Sequence, residues 1–352
     1  MPTRTAELPP RRSSGRSTGR ITLADVAQAA GVSAITVSRA LRGERAVDEA
    51  LVRRVREAAD RLGYVPDPAA RALASSKSTQ IAVLIPALSN ALFVDLLEAV
   101  HATLLPAGYQ TLIGVTHYDP AEEEQLLRGH LLHRPAGLMV TGFDRSDATR
   151  RLIAASGVPC VHMMETVTET GDAAGVFSVG FSQHAAGAAM TQHLIERGRR
   201  RIAFAAAQLD PRTLQRLQGW REAMQQAGLH DAKLEWMNPG ASSMALGRLM
   251  FEQIMSMRPA VDAIFFCNDD LAQGGLLAAL RMGVKVPKRV AVAGFNDLEG
   301  SDQMVPALTT IRTRRAEIGT QSATMLLRLM RGESPPRASV DVGYELVVRE
   351  ST

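Results

Sequence analysis

The stretch from Leu23 to Arg42 constrains this chain more than any other. It reads Leu-Ala-Asp-Val-Ala-Gln-Ala-Ala-Gly-Val-Ser-Ala-Ile-Thr-Val-Ser-Arg-Ala-Leu-Arg, with its small, glycine and apolar positions where two short helices must cross. Thr22 is placed as the N-cap of the first, which shows Leu23, Val26, Ala27 and Ala30 on one face and stops at Gly31. Ala27 must be small because the second helix passes close over the first, and Gly31 supplies the positive φ of a tight turn. Val32 and Val37 fill the seam, and Ser33 caps the second helix. A third helix is capped by Asp48, preceded by Val47, with Leu51, Val55, Ala58 and Leu62 at helical spacing and Gly63 as its end. In a helix-turn-helix the N-terminal half of the second helix enters the major groove of DNA. Ala34, Ile35, Thr36, Ser38 and Arg39 are therefore the expected reading face, and the backbone amides at Ser33 favour phosphate. An ordinary helical hairpin in a globular core would not require these positions jointly.

Charge agrees with that reading. Residues 1–77 hold 14 Lys and Arg against 8 Asp and Glu, while the rest of the chain holds 26 against 28. A basic head on a slightly acidic body implies that only the head meets a polyanion. Residues 1–20 lack a hydrophobic period and read as a disordered basic arm with no secretory signal. No run approaches the ~20 apolar residues of a membrane span, so a cytoplasmic, nucleoid-associated protein is expected. Cys160 and Cys267 belong to no CxxC or Cys/His cluster and are expected as buried, reduced thiols without a metal.

From Ile81 onward the pattern changes. Apolar runs of strand length (Ile81–Pro86, Thr111–Val115, Gly137–Thr141, Val158–Met163, Val176–Phe181, Arg201–Ala207, Ala263–Cys267, Val290–Phe295) alternate with helical stretches such as Ala91–Leu105, His184–Arg197, Leu214–Ala227 and Leu271–Met282. Strands apolar on both faces with helices between them imply parallel βαβ units. About ten in this length suggest two doubly wound lobes. The expected division is an arm at 1–20, a DNA-binding headpiece at 21–66, a hinge helix and linker at 67–78, opened by Asp67-Pro68, and a two-lobed ligand-binding and dimerisation domain at 79–352.

Thr22-Leu-x-Asp-Val-Ala-x-x-Ala-Gly-Val-Ser-x-x-Thr-Val-Ser-Arg39, followed by Leu62-Gly-Tyr-x-Pro66, resembles the headpiece of the LacI/GalR family of transcriptional repressors. The likeness continues through Asn268-Asp-Asp-Leu-Ala-x-Gly274, Val286-Pro-x-x-Val-Ala-Val-Ala-Gly-Phe295 and Pro306-Ala-Leu-Thr-Thr-Ile311. It implies a helix-turn-helix headpiece on a body similar to periplasmic binding proteins, a homodimer on a palindromic operator, and a small-molecule effector. It also implies DNA contacts at Thr22 and Leu23 and, from a hinge helix in the minor groove, at Ala70 and Leu73, Leu73 acting as the wedge. Two departures stand out. Ala34 and Ile35 can meet a thymine methyl but make no bidentate hydrogen bond, which leaves Thr36 and Arg39 to do so. Asp67 replaces a family Asn at the start of the hinge and puts a negative charge near phosphates.

No Gly-rich phosphate loop, nucleophile elbow or HExxH is present, so an enzyme and a cofactor are not expected. An effector should lie between the lobes beyond the carboxyl ends of the strands. Strand ends and the resemblance together nominate Phe93, Arg212, Arg216, Asn268, Asp269 and Asn296. Two Arg, with Asn296 where many relatives have Asp, suit an anion gripped by forked hydrogen bonds. The similarity is strongest to the family's gluconate-utilisation repressors, including Leu209-Asp-x-Arg-Thr213, which implies a sugar acid such as gluconate, a ketogluconate or a phosphorylated relative that induces release from DNA. The alternatives are a neutral-sugar or purine sensor, a solute-binding protein, and, for Arg212 and Arg216, surface ion pairs.

Overall fold

Local signals near the N-terminus act as the physics requires. In the computed structural model, which describes residues 21–42, 47–65, 78–88, 91–167 and 175–352, helix α1 (Leu23–Ala30) opens with a capping box. Thr22 Oγ1 accepts from the Asp25 amide, and the Asp25 carboxylate accepts from the Thr22 amide. Gly31, at φ 65°, closes α1 in the left-handed conformation that a side chain resists. Helix α2 (Ala34–Arg42) follows, and the Thr36 amide donates to Ser33 Oγ at 3.2 Å. Asp48 caps helix α3 (Glu49–Leu62) through the Leu51 amide. Val26, Ala27, Ala30, Val37, Ala40, Val55, Ala58 and Ala59 form the core of this three-helix unit, with Val32, Val47 and Leu51 packed around it. The chain divides into two compact units between Lys77 and Ser78. The expected arm and hinge helix, with Ala70 and Leu73, lie outside the described residues.

The second unit contains two lobes. The first is a six-stranded parallel sheet in the order β11-β5-β4-β3-β1-β2, made of β1 (Gln80–Ile85), β2 (Gln110–Val115), β3 (Gly137–Thr141), β4 (Cys160–Met164), β5 (Phe177–Gly180) and the late strand β11 (Ser339–Asp341). Helices α4 (Leu92–Leu104), α5 (Pro120–Leu132), α6 (Asp147–Ser156) and α11 (Arg315–Met330) belong to it. The second lobe has a four-stranded parallel sheet, β7-β6-β8-β9, from β6 (Ile202–Ala207), β7 (Glu235–Asn238), β8 (Ala263–Phe266) and β9 (Ala291–Ala293). Its helices are α7 (Gln183–Glu196), α8 (Pro211–Gln226), α9 (Met244–Met255) and α10 (Asp269–Arg281). An antiparallel pair, β10 (Thr310–Thr313) with β12 (Tyr344–Val347), completes the fold. The chain crosses between lobes after β5, after β10 and after β11, so neither lobe is a continuous segment.

The central strands read as apolar runs because both faces are covered: β6 and β3 are buried at every position. Strand β9 is shorter than the expected Val290–Phe295: its ladder with β8 ends at Ala293, and the Gly294 and Asn296 amides donate instead to the Thr309 and Ile311 carbonyls at 2.9 and 2.8 Å. Helix α8 begins at Pro211, three residues before the expected start. Asp210 accepts from the Arg212 amide and the Thr213 hydroxyl, and Pro211 needs no hydrogen-bond partner at the first helical position. Helices pair closely within the second lobe. A Cβ on Gly219 would stand 2.1 Å from the His184 carbonyl oxygen, and one on Gly187 2.5 Å from that of Arg216, so α7 and α8 touch backbone to backbone. Among the described residues no helix is long and apolar enough to cross a membrane.

Candidate functional site

Two surfaces carry the chemistry. On the headpiece, Ala34, Ile35 and Arg39 are exposed and Thr36 and Ser38 half-buried. Ile35 is 67% exposed, a large apolar side chain that the small core does not use. Ser33 and Thr36 join their hydroxyls at 2.8 Å, which fixes both rotamers at the helix start. Thr22 is exposed but committed to its capping box, its hydroxyl donating to Asp25 at 2.8 Å. Leu23 packs against the three-helix core.

The second surface is a cleft in the body, about 580 Å³ of space partly open to solvent. Four of the six nominated residues line it: Phe93, Arg212, Arg216 and Asn268. Phe93 sits in the first turn of α4, Arg212 and Arg216 one turn apart on α8, and Asn268 is the N-cap of α10. Phe93, Arg212 and Asn268 stand where a strand has delivered the chain to a helix start, as expected for a doubly wound lobe, and Arg216 lies one turn further along α8.

Arg216 is almost wholly buried, at 3% exposure. Its guanidinium donates to Gln183 Oε1 at 2.8 Å, to the Cys267 carbonyl at 2.7 Å and to Asn268 Oδ1 at 3.1 Å. It lies 3.8 Å over the Phe295 ring centroid. All of these partners are neutral, and no carboxylate among the described residues pairs with it; burial pulls its pKa below the usual arginine range. A buried cation with no carboxylate in contact is costly, Asp210 acting on it only from a distance, and an anion entering the cleft would relieve that cost.

Arg212 is in a different state. It is equally buried but lies 3.2 Å from Asp210, 3.7 Å from Asp144 and 3.8 Å from Glu165. Burial works against its charge, and the three carboxylates more than offset that. Neither arginine forms a surface ion pair; both are interior groups.

Asp269 and Asn296 do not reach the cleft. The Asp269 carboxylate turns into the core, accepting from Thr310 Oγ1 at 2.6 Å and from the Leu298 amide at 2.7 Å, and burial pushes its pKa up to about 6. Consecutive residues at a helix start point to different sides, so Asn268 faces the cleft and Asp269 the interior. Asn296, fully buried at φ 108°, stands behind Asn268 and donates to its Oδ1 at 3.0 Å. It orients a cleft residue instead of lining the cleft.

The cleft also takes in groups that the sequence reading missed, among them Tyr118, Gln208, Asp210, Ser242 and Asp270. Asp210-Pro211 was a readable helix start. Gln183 and Glu165 carried no local signal, because the fold alone brings them to α8. Both cysteine thiols are pushed up to about 12 by burial, the Cys160 sulfur lying inside although its residue is partly exposed.

A helix-turn-helix unit joined in sequence to a two-lobed α/β body, with a polar cleft at the carboxyl ends of its strands, defines a class: DNA-binding regulators that sense a small molecule. Residues 22–67 match the bacterial regulatory proteins of the lacI family, and residues 191–352 match the periplasmic binding protein-like domain. The chain is 54% identical to the HTH-type transcriptional regulator GntR of Pseudomonas aeruginosa, over 96% of this chain and 97% of that protein. Among solved structures, the transcription regulator GntR from Chromobacterium violaceum is 44% identical with a TM-score of 0.74, over 77% of this chain and 98% of that one. A LacI-family regulator from Silicibacter pomeroyi is 34% identical with a TM-score of 0.87, over 94% and 99%. The chain belongs to the LacI family and is a DNA-binding transcriptional repressor.

Proposed function

We propose that this repressor holds a palindromic operator as a homodimer and releases it when a sugar acid, gluconate or a close relative, enters the cleft between the lobes. The observation that carries the effector class is Arg216, a buried guanidinium whose hydrogen bonds all go to neutral acceptors. A carboxylate supplies the missing charge, while Asn268, Ser242 and Asp270 offer donors and acceptors for hydroxyl groups. Phe93 presents an apolar wall to the carbon chain. Similarity to regulators named GntR supports the same choice.

Within the headpiece, Arg39 and Thr36 hydrogen-bond to base edges, Ile35 and Ala34 meet thymine methyls, and Ser33, Ser38, Thr22 and Leu23 fix the register on the backbone. Ala70 and Leu73 extend the contact into the minor groove. The protein works at the nucleoid without enzymatic turnover.

The test is a thermal-shift series with gluconate, 2-ketogluconate and glucose, followed by titration of an operator selected from random duplexes. A shift with the acids, none with glucose, and weaker operator binding in the presence of the acid is the expected result. A response to glucose equal to that to gluconate overturns the anion reading. Arg216→Lys should keep a charge but lose the forked grip, lowering gluconate affinity by at least about tenfold.

A further inference from the structure

Helix α8, which carries Arg216 into the cleft, also ties the lobes together. It belongs to the lobe built on β6 to β9, whereas Asp144 and Glu165 follow β3 and β4 of the other lobe. Gln215 Nε2 donates across the boundary to Glu165 Oε1 at 2.7 Å. Arg212 Nη1 reaches across as well, to Glu165 Oε2 at 3.8 Å and Asp144 Oδ1 at 3.7 Å. Arg212 Nη1 and Glu165 Oε2 are both buried and neither has a hydrogen-bond partner. The contact is therefore stretched: both groups are buried, yet they stand too far apart for a hydrogen bond, and burial pushes the Glu165 pKa up against the pull of Arg212.

We infer that Glu165 is a positioning residue for the effector response. It does not line the cleft; it holds Arg212 and Gln215, and through them the first two turns of α8, so that it sets where Arg216 stands. This rests on the reading of the cleft as the effector site. The physical reason is that burial leaves the Arg212–Glu165 contact weakly screened, so its energy depends on its length more than that of an exposed pair. A ligand that draws Arg216 toward itself moves Arg212, one helical turn away, relative to Glu165. The two lobe arrangements then differ in the energy of this contact, and such a difference is what couples a ligand to a remote equilibrium. Arg212 acts here as a tie between lobes, its charge being shared among three carboxylates.

The tie also predicts non-additivity. Without Arg212, the carboxylates of Asp144, Glu165 and Asp210 are left with no cation between them, and neutralising Glu165 then relieves the repulsion. The experiment uses the full chain as wild type, Glu165→Gln, Arg212→Met and the double variant, with Gln215→Ala in reserve should Arg212→Met fail to fold. Two quantities are read: hydrogen exchange over residues 210–216 without ligand, and gluconate affinity by calorimetry. Each single change should speed exchange at 210–216 and weaken gluconate binding. The double variant should bind gluconate on the order of fivefold more tightly than the sum of the single effects requires. Additive effects on gluconate affinity, or exchange at 210–216 unchanged by Glu165→Gln, overturn the tie. If wild type ignores gluconate, the proposed effector falls, and the ligand-free exchange still decides whether Glu165 holds α8.

Discussion

At the scale of single residues, the body keeps several charges out of water, and each has consequences that can be measured. Asp269 titrates at about 6 in the folded chain because burial disfavours its anion. A carboxyl whose folded pKa lies above its unfolded value adds stability below the unfolded value and loses that contribution as pH rises through the folded one. Its share of stability is thus present near pH 4 and gone above about pH 6. Asp269→Asn removes this dependence: the melting temperature of the variant minus that of wild type should rise between pH 4 and pH 6.5. A flat difference across that range would contradict the assignment. Gly142 is a second point of leverage. It sits at φ 66°, and a Cβ there would lie 2.3 Å from Glu165 Oε2, 2.6 Å from Arg212 Nη1 and 2.8 Å from Asp144 Oδ1. Gly142→Ala combines an unfavourable backbone angle with displacement of the interlobe charges and should cost about 1–3 kcal/mol in urea unfolding.

At the scale of elements, the headpiece and the body differ in how far they could be read in advance. The headpiece was legible almost residue by residue, because caps at Thr22, Ser33 and Asp48, the stops at Gly31 and Gly63, and the Val37 seam are all local devices. Each acts within four or five positions along the chain. The strands were legible as apolar runs, but their ends were not, since β9 stops where its ladder with β8 runs out at Ala293, a matter of how two distant segments align. Arg39 stands on the exposed face of α2, and Arg39→Ala should weaken operator binding by about 1–3 kcal/mol without shifting headpiece melting; unchanged affinity would remove it from the reading face. Val37, wholly buried in a core of eight residues, marks the opposite case. Val37→Ala should unfold the headpiece preferentially, with operator binding lost while gluconate binding persists.

For the whole molecule, the division into two compact units implies two unfolding events. A ligand seated in the body stabilises the body alone, by about 2.7 kcal/mol at a concentration one hundred times its Kd. Calorimetry with saturating gluconate should therefore move the larger transition upward and leave the small headpiece transition in place. Chain-wide organisation also explains which part of the cleft was hidden from the sequence. Phe93 and Asn268 could be nominated because each opens or caps a helix after a strand, and Arg212 and Arg216 because the family resemblance puts ligand contacts at their positions. Glu165 and Gln183 could not, because only the crossings between lobes bring them to α8. Asp269 and Asn296 mark the limit of such nomination, being neighbours of cleft positions whose side chains turn inward.

The glycine contacts between α7 and α8 determine how a signal leaves the cleft. With the carbonyl of Arg216 pressed against Gly187, and that of His184 against Gly219, the two helices meet at these points without a side chain between them, while Arg216–Gln183 and His184–Glu222 contacts flank them. Such close backbone contact leaves little room for local adjustment. A displacement at Arg216 is therefore expected to carry over to α7, whose His193 bonds Thr352 at 2.9 Å. The pair of helices then behaves as one lever, and enlarging either glycine should blunt the response to the effector even where the effector still binds.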